Sequence, residues 1–255
     1  MFGYWKAAQR ELTLKSHLNR LLKKLKALDA QFEYRNPALD DTPWFKSVTG
    51  PLPVLVSAPH ACMHRRNGID KMQEEYTGAL ALYLAESCHC SAIAISHKIS
   101  EDPNWDETSD YKTAVRSLVQ ENKIKFLIDL HGMSIKNNMG VAIGTIKGRA
   151  CAAESVVPHF IDSGFVCDED ASQPKQTWRS LVIDHPKFTG GLVNQTLTRF
   201  ASEKLDIQAV QVELSPEVRV VEYKATPDWP HDYYGDPSAI EATVTALQSL
   251  VMQYQ

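Results

Sequence analysis

Lys125-Phe126-Leu127-Ile128-Asp129-Leu130-His131-Gly132-Met133-Ser134 is the stretch around which the chain is organised. Phe126, Leu127, Ile128 and Leu130 make a short, nearly unbroken apolar run with one aspartate inside it, as expected of a parallel strand covered on both faces. The run stops at His131-Gly132. Open α/β sheets bind ligands outside the carboxyl ends of their strands, so a histidine there faces a crevice, and the glycine lets the backbone turn away. A histidine that merely caps a strand fits the same spacing, so the neighbouring segments decide.

Pro53-Val54-Leu55-Val56-Ser57-Ala58-Pro59-His60 repeats the pattern: an apolar run, then a histidine. Between the two runs, Glu74 to Glu86 reads as a helix with Tyr76, Ala79, Leu80, Tyr83 and Leu84 on its apolar face, and Glu74 and Glu75 in its first turn, where the helix dipole favours them. Ala92 to Ser96 is a further strand, and Tyr111 to Glu121 a helix that feeds the His131 strand. Strand and helix alternate, which predicts an α/β fold: one domain with a mixed, mostly parallel sheet flanked by helices. Downstream, the expectations are a strand over Met139–Ile146, a helix from about Arg149 to Ser163, an exposed loop over the site from Ser180 to Asn194, and a helix over Asn194–Glu203. A last core strand over Ala209–Ser215 and a closing helix over Ala239–Gln253 complete the chain.

Ahead of the core, Leu12, Leu14, Leu18, Leu21, Leu22, Leu25 and Leu28 recur at helical spacing, with Lys15, Arg20, Lys23, Lys24 and Lys26 filling much of the remainder. Such a helix can bind a membrane or a partner, but it more often packs on its own domain. Residues 1–45 therefore read as an N-terminal helical extension and 46–255 as the α/β domain.

The chain of 255 residues, 44% hydrophobic and 23% charged with a net charge of −4, gives no global reason to expect nucleic acid or an anionic membrane. No apolar run approaches the roughly 18 residues that would span a bilayer. The N-terminus lacks the pattern of a signal peptide, and five cysteines read as reduced thiols, so a cytoplasmic location is expected. Cys88-His89-Cys90 has no second ligand pair at finger-like spacing and reads as ordinary thiols. Cys62 and Cys151 have no base implied nearby and rank behind a metal as sources of chemistry.

His60 and His131, 131 − 60 = 71 residues apart, can meet only through the fold. Glu74 or Glu75 lies between them, and Glu213 sits in an apolar strand where a carboxylate is costly unless paired, metal-bound or protonated. Two imidazoles and a carboxylate with an open fourth position are a set used for catalytic zinc, and a separate glutamate can serve as general base. Each residue also has an ordinary reading. The histidines could bond loops, and Glu213 could pair with Arg66, Arg179 or Arg219. No His-Glu-x-x-His helix is present, and His64 and His97 remain alternative ligands.

Ser57-Ala-Pro-His60, Glu74-Glu-Tyr-Thr-Gly78, Asp102-Pro-Asn104, Ile128-Asp-Leu-His-Gly-Met133, Lys187-Phe-Thr-Gly-Gly191 and Gln211-Val-Glu-Leu214 together resemble the ordered motifs of the N-formylglutamate amidohydrolase family, whose fold is that of zinc carboxypeptidases. The resemblance runs from about Pro53 to Ser215. It implies that His60, Glu74 or Glu75, and His131 hold zinc and that Glu213 is the base. The chain departs from the family pattern at Ala61-Cys62, where a glycine is usual, and at Trp105, where Asp102-Pro-Asn104 is usually followed by arginine.

The expected activity is zinc-dependent hydrolysis of the amide bond of an N-formyl or N-acyl amino acid. Arg66, Arg179 and Arg149 are candidates to grip a substrate carboxylate, and Lys187 with Gly190-Gly191 suggests a flap. The competing readings are a carboxypeptidase or deacylase of another peptide-like amide, and a binding module without turnover.

Overall fold

The computed structural model describes residues 2–168, 177–192, 194–225 and 230–255, with side chains described from residue 15 onward. Leu12 and Leu14, and residue 193 within the expected loop, fall outside that description.

The strands in chain order are β1 (Glu33–Pro37), β2 (Phe45–Val48), β3 (Val54–Ala58), β4 (His64–Arg66), β5 (Ile69–Lys71), β6 (Ser91–Ile95), β7 (His97–Lys98), β8 (Phe126–Gly132), β9 (Val141–Gly144), β10 (Val166–Cys167), β11 (Ser180–Ile183) and β12 (Gln208–Leu214). The helices are α1 (Phe2–Asp29), α2 (Thr77–Cys88), α3 (Asp110–Glu121), α4 (Val157–Asp162), α5 (Leu197–Lys204), α6 (Pro216–Arg219) and α7 (Pro237–Met252).

Eight strands form the main sheet in the order β10-β11-β9-β12-β8-β3-β6-β2. The central run β12-β8-β3-β6 is parallel, and the two antiparallel joins, β9 with β12 and β2 with β6, make the sheet mixed. Helices flank it as the alternation of apolar runs predicts, because a strand buried on both faces needs cover on both. β3 and β6 are buried at every position, and β8 at all but Gly132.

The basic helix α1 belongs to this body: Leu21, Leu25 and Leu28 lie in the main hydrophobic core, and the helix packs on α2 and α7. Among the described residues, no helix is long and apolar enough to cross a membrane.

Three expectations need correction. Glu74 and Glu75 lie before α2, not in its first turn, because Tyr76 takes a left-handed conformation (φ 64°) and starts the helix only at Thr77. The helix from Arg149 to Ser163 shrinks to one 3-10 turn, Ala153–Ser155, and the short α4, because Pro158 is tolerated only in the first turn of a helix and so α4 starts there. The segment from Ser180 is no exposed loop at its start, since β11 is buried at Ser180, Leu181 and Val182 and pairs in parallel with β9; only the part after Ile183 is loop.

Candidate metal centre

Because β3, β8 and β12 are adjacent and parallel, their carboxyl ends open on one crevice. His60 lies two residues past β3, and His131 and Glu213 are register partners near the ends of β8 and β12. The His60 and His131 ring centroids stand 4.8 Å apart.

Glu74 reaches the crevice from the turn ahead of α2. Its backbone N donates to His60 O at 2.9 Å, and its own carbonyl accepts from Thr77 Oγ1 at 2.7 Å. The left-handed Tyr76 that follows donates its backbone N to Asp29 Oδ1 at 3.1 Å, and Tyr34 donates its hydroxyl to the same carboxylate. The end of α1 thereby pins the turn that carries Glu74.

The Glu74 carboxylate faces both histidines. Its Oε1 is 3.2 Å from His60 Nδ1, and its Oε2 is 3.0 Å from His131 Nδ1 and accepts from Gly132 N at 2.9 Å. The opposite ring nitrogens meet a second tier of polar groups. His60 Nε2 lies 2.8 Å from Asp102 Oδ1, while His131 Nε2 lies 2.6 Å from Asn104 Nδ2 and 3.2 Å from Asp129 Oδ1. Asp102 Oδ2 accepts from Arg66 Nε at 2.6 Å.

These surroundings set the charges. Burial works against the Glu74 carboxylate, but His131 and His60 outweigh it and hold the acid well below its usual range. Burial likewise opposes charge on His131, and Asp129 and Glu74 overcome it to raise the imidazole. Glu213 goes the other way: burial, reinforced by the nearby Glu74 charge and only partly offset by the histidines, pushes it up to about 7. Its Oε1 accepts from Gln211 Nε2 at 3.1 Å, and Gln211 Oε1 accepts from Gly190 N at 2.9 Å, which fixes the Glu213 carboxyl group against the 187–191 loop.

The donor set fits a zinc-like ion. One ligand atom from each of His60, Glu74 and His131 lies within 4.8 Å of the others. Histidines that bind metal through one nitrogen usually give the other N–H to a carboxylate, and both histidines here have one in place. The Asp129 side adds a second argument. Asp129 Oδ1 is buried without a hydrogen-bond partner, although His131 Nε2 is only 3.2 Å away, because Asn104 occupies that nitrogen. A metal on His131 Nδ1 would require a proton on Nε2, which could reach the orphaned oxygen only once the Asn104 Nδ2 donor at 2.6 Å gives way. His60, His64 and Asp102 form a second cluster. There the two rings stack at 3.8 Å, burial pushes His64 down to about 3, and Arg66 already neutralises Asp102. That cluster is packed shut, whereas the first opens on a cavity of about 410 Å³.

Arg66 and Lys187 line this cavity together with Glu213 and Asn137. The other candidates stand elsewhere. Arg149 donates from Nε to Ile146 O, and Arg179 donates to Gly164 O and lies over Trp178. Glu75 turns away from the histidines toward Gln73 and Arg219. His97 pairs with Ser96 on the short strand β7. The Cys62 and Cys151 thiols are raised by burial, Cys151 to about 12, so neither is an activated nucleophile. Glu213 pairs with none of the three arginines once considered for it; Arg219 goes to Glu75 and Leu214 O instead.

Sequence reasoning gave no role to Asp102, Asn104, Asp129 or Gln211. Asp129 carried a signal, since an aspartate inside an apolar strand needs a partner. Asp102 and Asn104 stand in the Asp102-Pro-Asn104 motif of the resemblance, but Asp102 is 42 residues from His60, and the motif alone does not say which ring it meets.

No protein-family model matches the chain, and no curated protein matches it. Among solved structures, the fold is similar to that of N-formylglutamate amidohydrolase from Ralstonia eutropha JMP134, with a TM-score of 0.52 and 11% identity over 82% of this chain and 97% of that one. It is similar also to a bacteriophage poly-gamma-glutamate hydrolase, with a TM-score of 0.50 and 12% identity over 82% of this chain and 89% of the other. Both likenesses concern the fold.

Proposed function

We propose that the chain is a zinc-dependent amidohydrolase acting on the C–N bond of an N-formyl or N-acyl amino acid. The observation that carries this reading is the convergence of His60, Glu74 and His131 on one open crevice, with the buried acid Glu213 on the neighbouring strand. Two structural neighbours, named as an amidohydrolase and a poly-gamma-glutamate hydrolase, add support from the fold.

In this reading His60 Nδ1, the Glu74 carboxylate and His131 Nδ1 hold the ion, oriented by Asp102 and Asp129. When bound, zinc polarises the substrate carbonyl and lowers the pKa of a water toward about 7. Glu213, itself poised at about 7, accepts a proton from the attacking water and returns it to the leaving nitrogen as the C–N bond breaks. Arg66, held by Asp102 and lying over Trp105 at 5.1 Å, offers a fixed cation to a substrate carboxylate, with Lys187 across the cavity. The proposal extends to a small-molecule substrate as the partner, a cytoplasmic location, and a division into an extension of 1–45 and a hydrolase domain of 46–255.

The test is metal content together with turnover. Purified protein should take up one zinc per chain, and the loaded protein should release amine from N-formylglutamate or from other N-acyl amino acids. Failure to bind zinc stoichiometrically overturns the reading in favour of a binding module, and zinc binding with no hydrolysis of any such amide overturns it in favour of that module or of a carboxypeptidase or deacylase of another peptide-like amide.

A further inference from the structure

Beside the polar cavity lies a second one, of about 380 Å³, and both are lined by Glu74, Gly132, Met133 and Ser134. The two thus share a wall, Glu74 with Gly132, Met133 and Ser134, and their chemistry differs: His60 and His131 line only the first. The first carries Arg66 and Lys187. The second is walled by Met72, Met133, Ile135, Val220, Tyr223 and Tyr233. Met133 and Val220 are buried in its floor, while Met72 and Ile135 stand exposed at its rim.

One cation also borders the apolar compartment, Arg219, but all three of its guanidinium nitrogens are engaged by the protein, whereas Asp102 holds Arg66 at Nε. Nε donates to Leu214 O at 3.2 Å, Nη1 donates to Glu75 O at 3.1 Å, and Nη2 lies 3.7 Å from the Glu75 carboxylate. A substrate carboxylate therefore has its counter-charge on the Arg66 side, and an apolar group has its place on the other. At about 30 Å³ for each water-sized unit, 380 Å³ holds roughly a dozen non-hydrogen atoms.

We infer that the compartment walled by Met133, Val220 and Tyr223 is an acyl subsite, so that the substrate class is amino acids N-acylated with a medium-length aliphatic or aromatic group. This rests on the amidohydrolase reading and narrows it: a formyl group would leave the compartment empty. The amide carbonyl sits at the junction by Glu74, the acyl tail enters the apolar side, and the amino-acid carboxylate faces Arg66.

The experiment compares N-formyl, N-acetyl, N-butanoyl, N-octanoyl and N-benzoyl derivatives of one amino acid, with kcat/KM on the zinc-loaded enzyme and calorimetric binding to Glu213→Gln. Each buried methylene should raise kcat/KM about four-fold, so butanoyl should exceed acetyl by roughly 16-fold, with a plateau once the tail outgrows the cavity. Ile135→Glu at the rim and Val220→Trp in the floor should each erase the preference for long tails; the exposed rim variant guards against loss of folding in the buried one. Equal kcat/KM and equal binding across the series overturns the subsite and leaves the hydrolase reading intact. Chain-length-dependent binding to Glu213→Gln without turnover by the parent enzyme keeps the subsite and removes the hydrolase reading.

Discussion

Asp102→Asn is the most informative single change, because one buried carboxylate serves His60, Arg66 and the Asn104 backbone at once. In the native arrangement Asp102 is fully buried, 2.8 Å from His60 Nε2, and accepts from Arg66 Nε at 2.6 Å and Asn104 N at 2.9 Å. The amide keeps the shape but loses the charge, so His60 is no longer held as a ligand with its Nε2 proton toward a carboxylate. Zinc affinity should fall about 10–100-fold, the usual cost of losing such a partner. Stability should fall too. Breaking a wholly buried pair costs about 3–5 kcal/mol, but the Arg66 side chain keeps 30% exposure, so about 2 kcal/mol is the reasonable figure. At about 2–4 °C per kcal/mol for a chain near this size, the melting temperature should drop ~4–8 °C. The pH dependence gives a further check. Burial opposes the Asp102 charge, but His60, His64 and Arg66 overcome it and hold the acid below its ordinary 3.8. A depressed acid binds fewer protons folded than unfolded, so its contribution is complete above that pH and fades as pH falls below it. The gap between variant and parent should therefore be full at neutral pH and close in acid. Competition with a chromophoric chelator reads the zinc affinity, and thermal melts of the metal-free protein read the stability. Unchanged zinc affinity in the folded variant would refute the orienting role and, with it, the choice of His60 Nδ1 as the ligand atom.

Glu213→Gln should abolish turnover while zinc stays bound; in the metal-free protein the same change should raise the melting temperature at pH 8, and the gain should disappear toward pH 4. The sign follows because burial lifts Glu213 from 4.5 to about 7, which makes the folded state lose stability as pH rises across that window. A native-like limb near pH 7 in the activity profile of a residually active Glu213→Gln would show that another group titrates there. Gly132→Ala should cost about 1–3 kcal/mol in a denaturant titration, because the added Cβ would sit 2.6 Å from Arg219 Nε and 2.8 Å from its Cζ; a neutral outcome would mean that Arg219 is free to move. Leu25→Ala should cost about 2–5 kcal/mol, since Leu25 is wholly buried in the main core. A negligible loss in the melt would return α1 to the status of a detachable partner-binding helix.

β3 and β8 were legible because they are apolar on both faces and lead into a histidine, and β12 because Glu213 stands inside an apolar run. Those patterns made His60, His131 and Glu213 candidates before any geometry was known. What was not legible followed from two causes. Pro186 and Gly190-Gly191 obscured the buried strand just ahead of them, because strong turn residues dominate a short window. The choice between Glu74 and Glu75 could not be made from helix periodicity, because the left-handed Tyr76 starts the helix three residues late, at Thr77 instead of Glu74, and the two carboxylates point in different directions. Gly132 was read as a turn, yet it lies within β8; it is small because Arg219 packs where a side chain would be. Arg149 and Arg179 were named on charge alone, and charge does not say which face a side chain occupies.

The side chains that gather at the crevice are spread unevenly along the chain. His60, Glu74 and His131 all precede residue 132, while Glu213 follows 213 − 131 = 82 residues later. At ~5–20 residues per second of synthesis, the acid trails the other three by roughly 4 to 16 seconds. On a nascent chain the three residues of the His60, Glu74 and His131 cluster are thus all synthesised before Glu213, and β12, which brings that acid, is also the strand that pairs with β8 beside them.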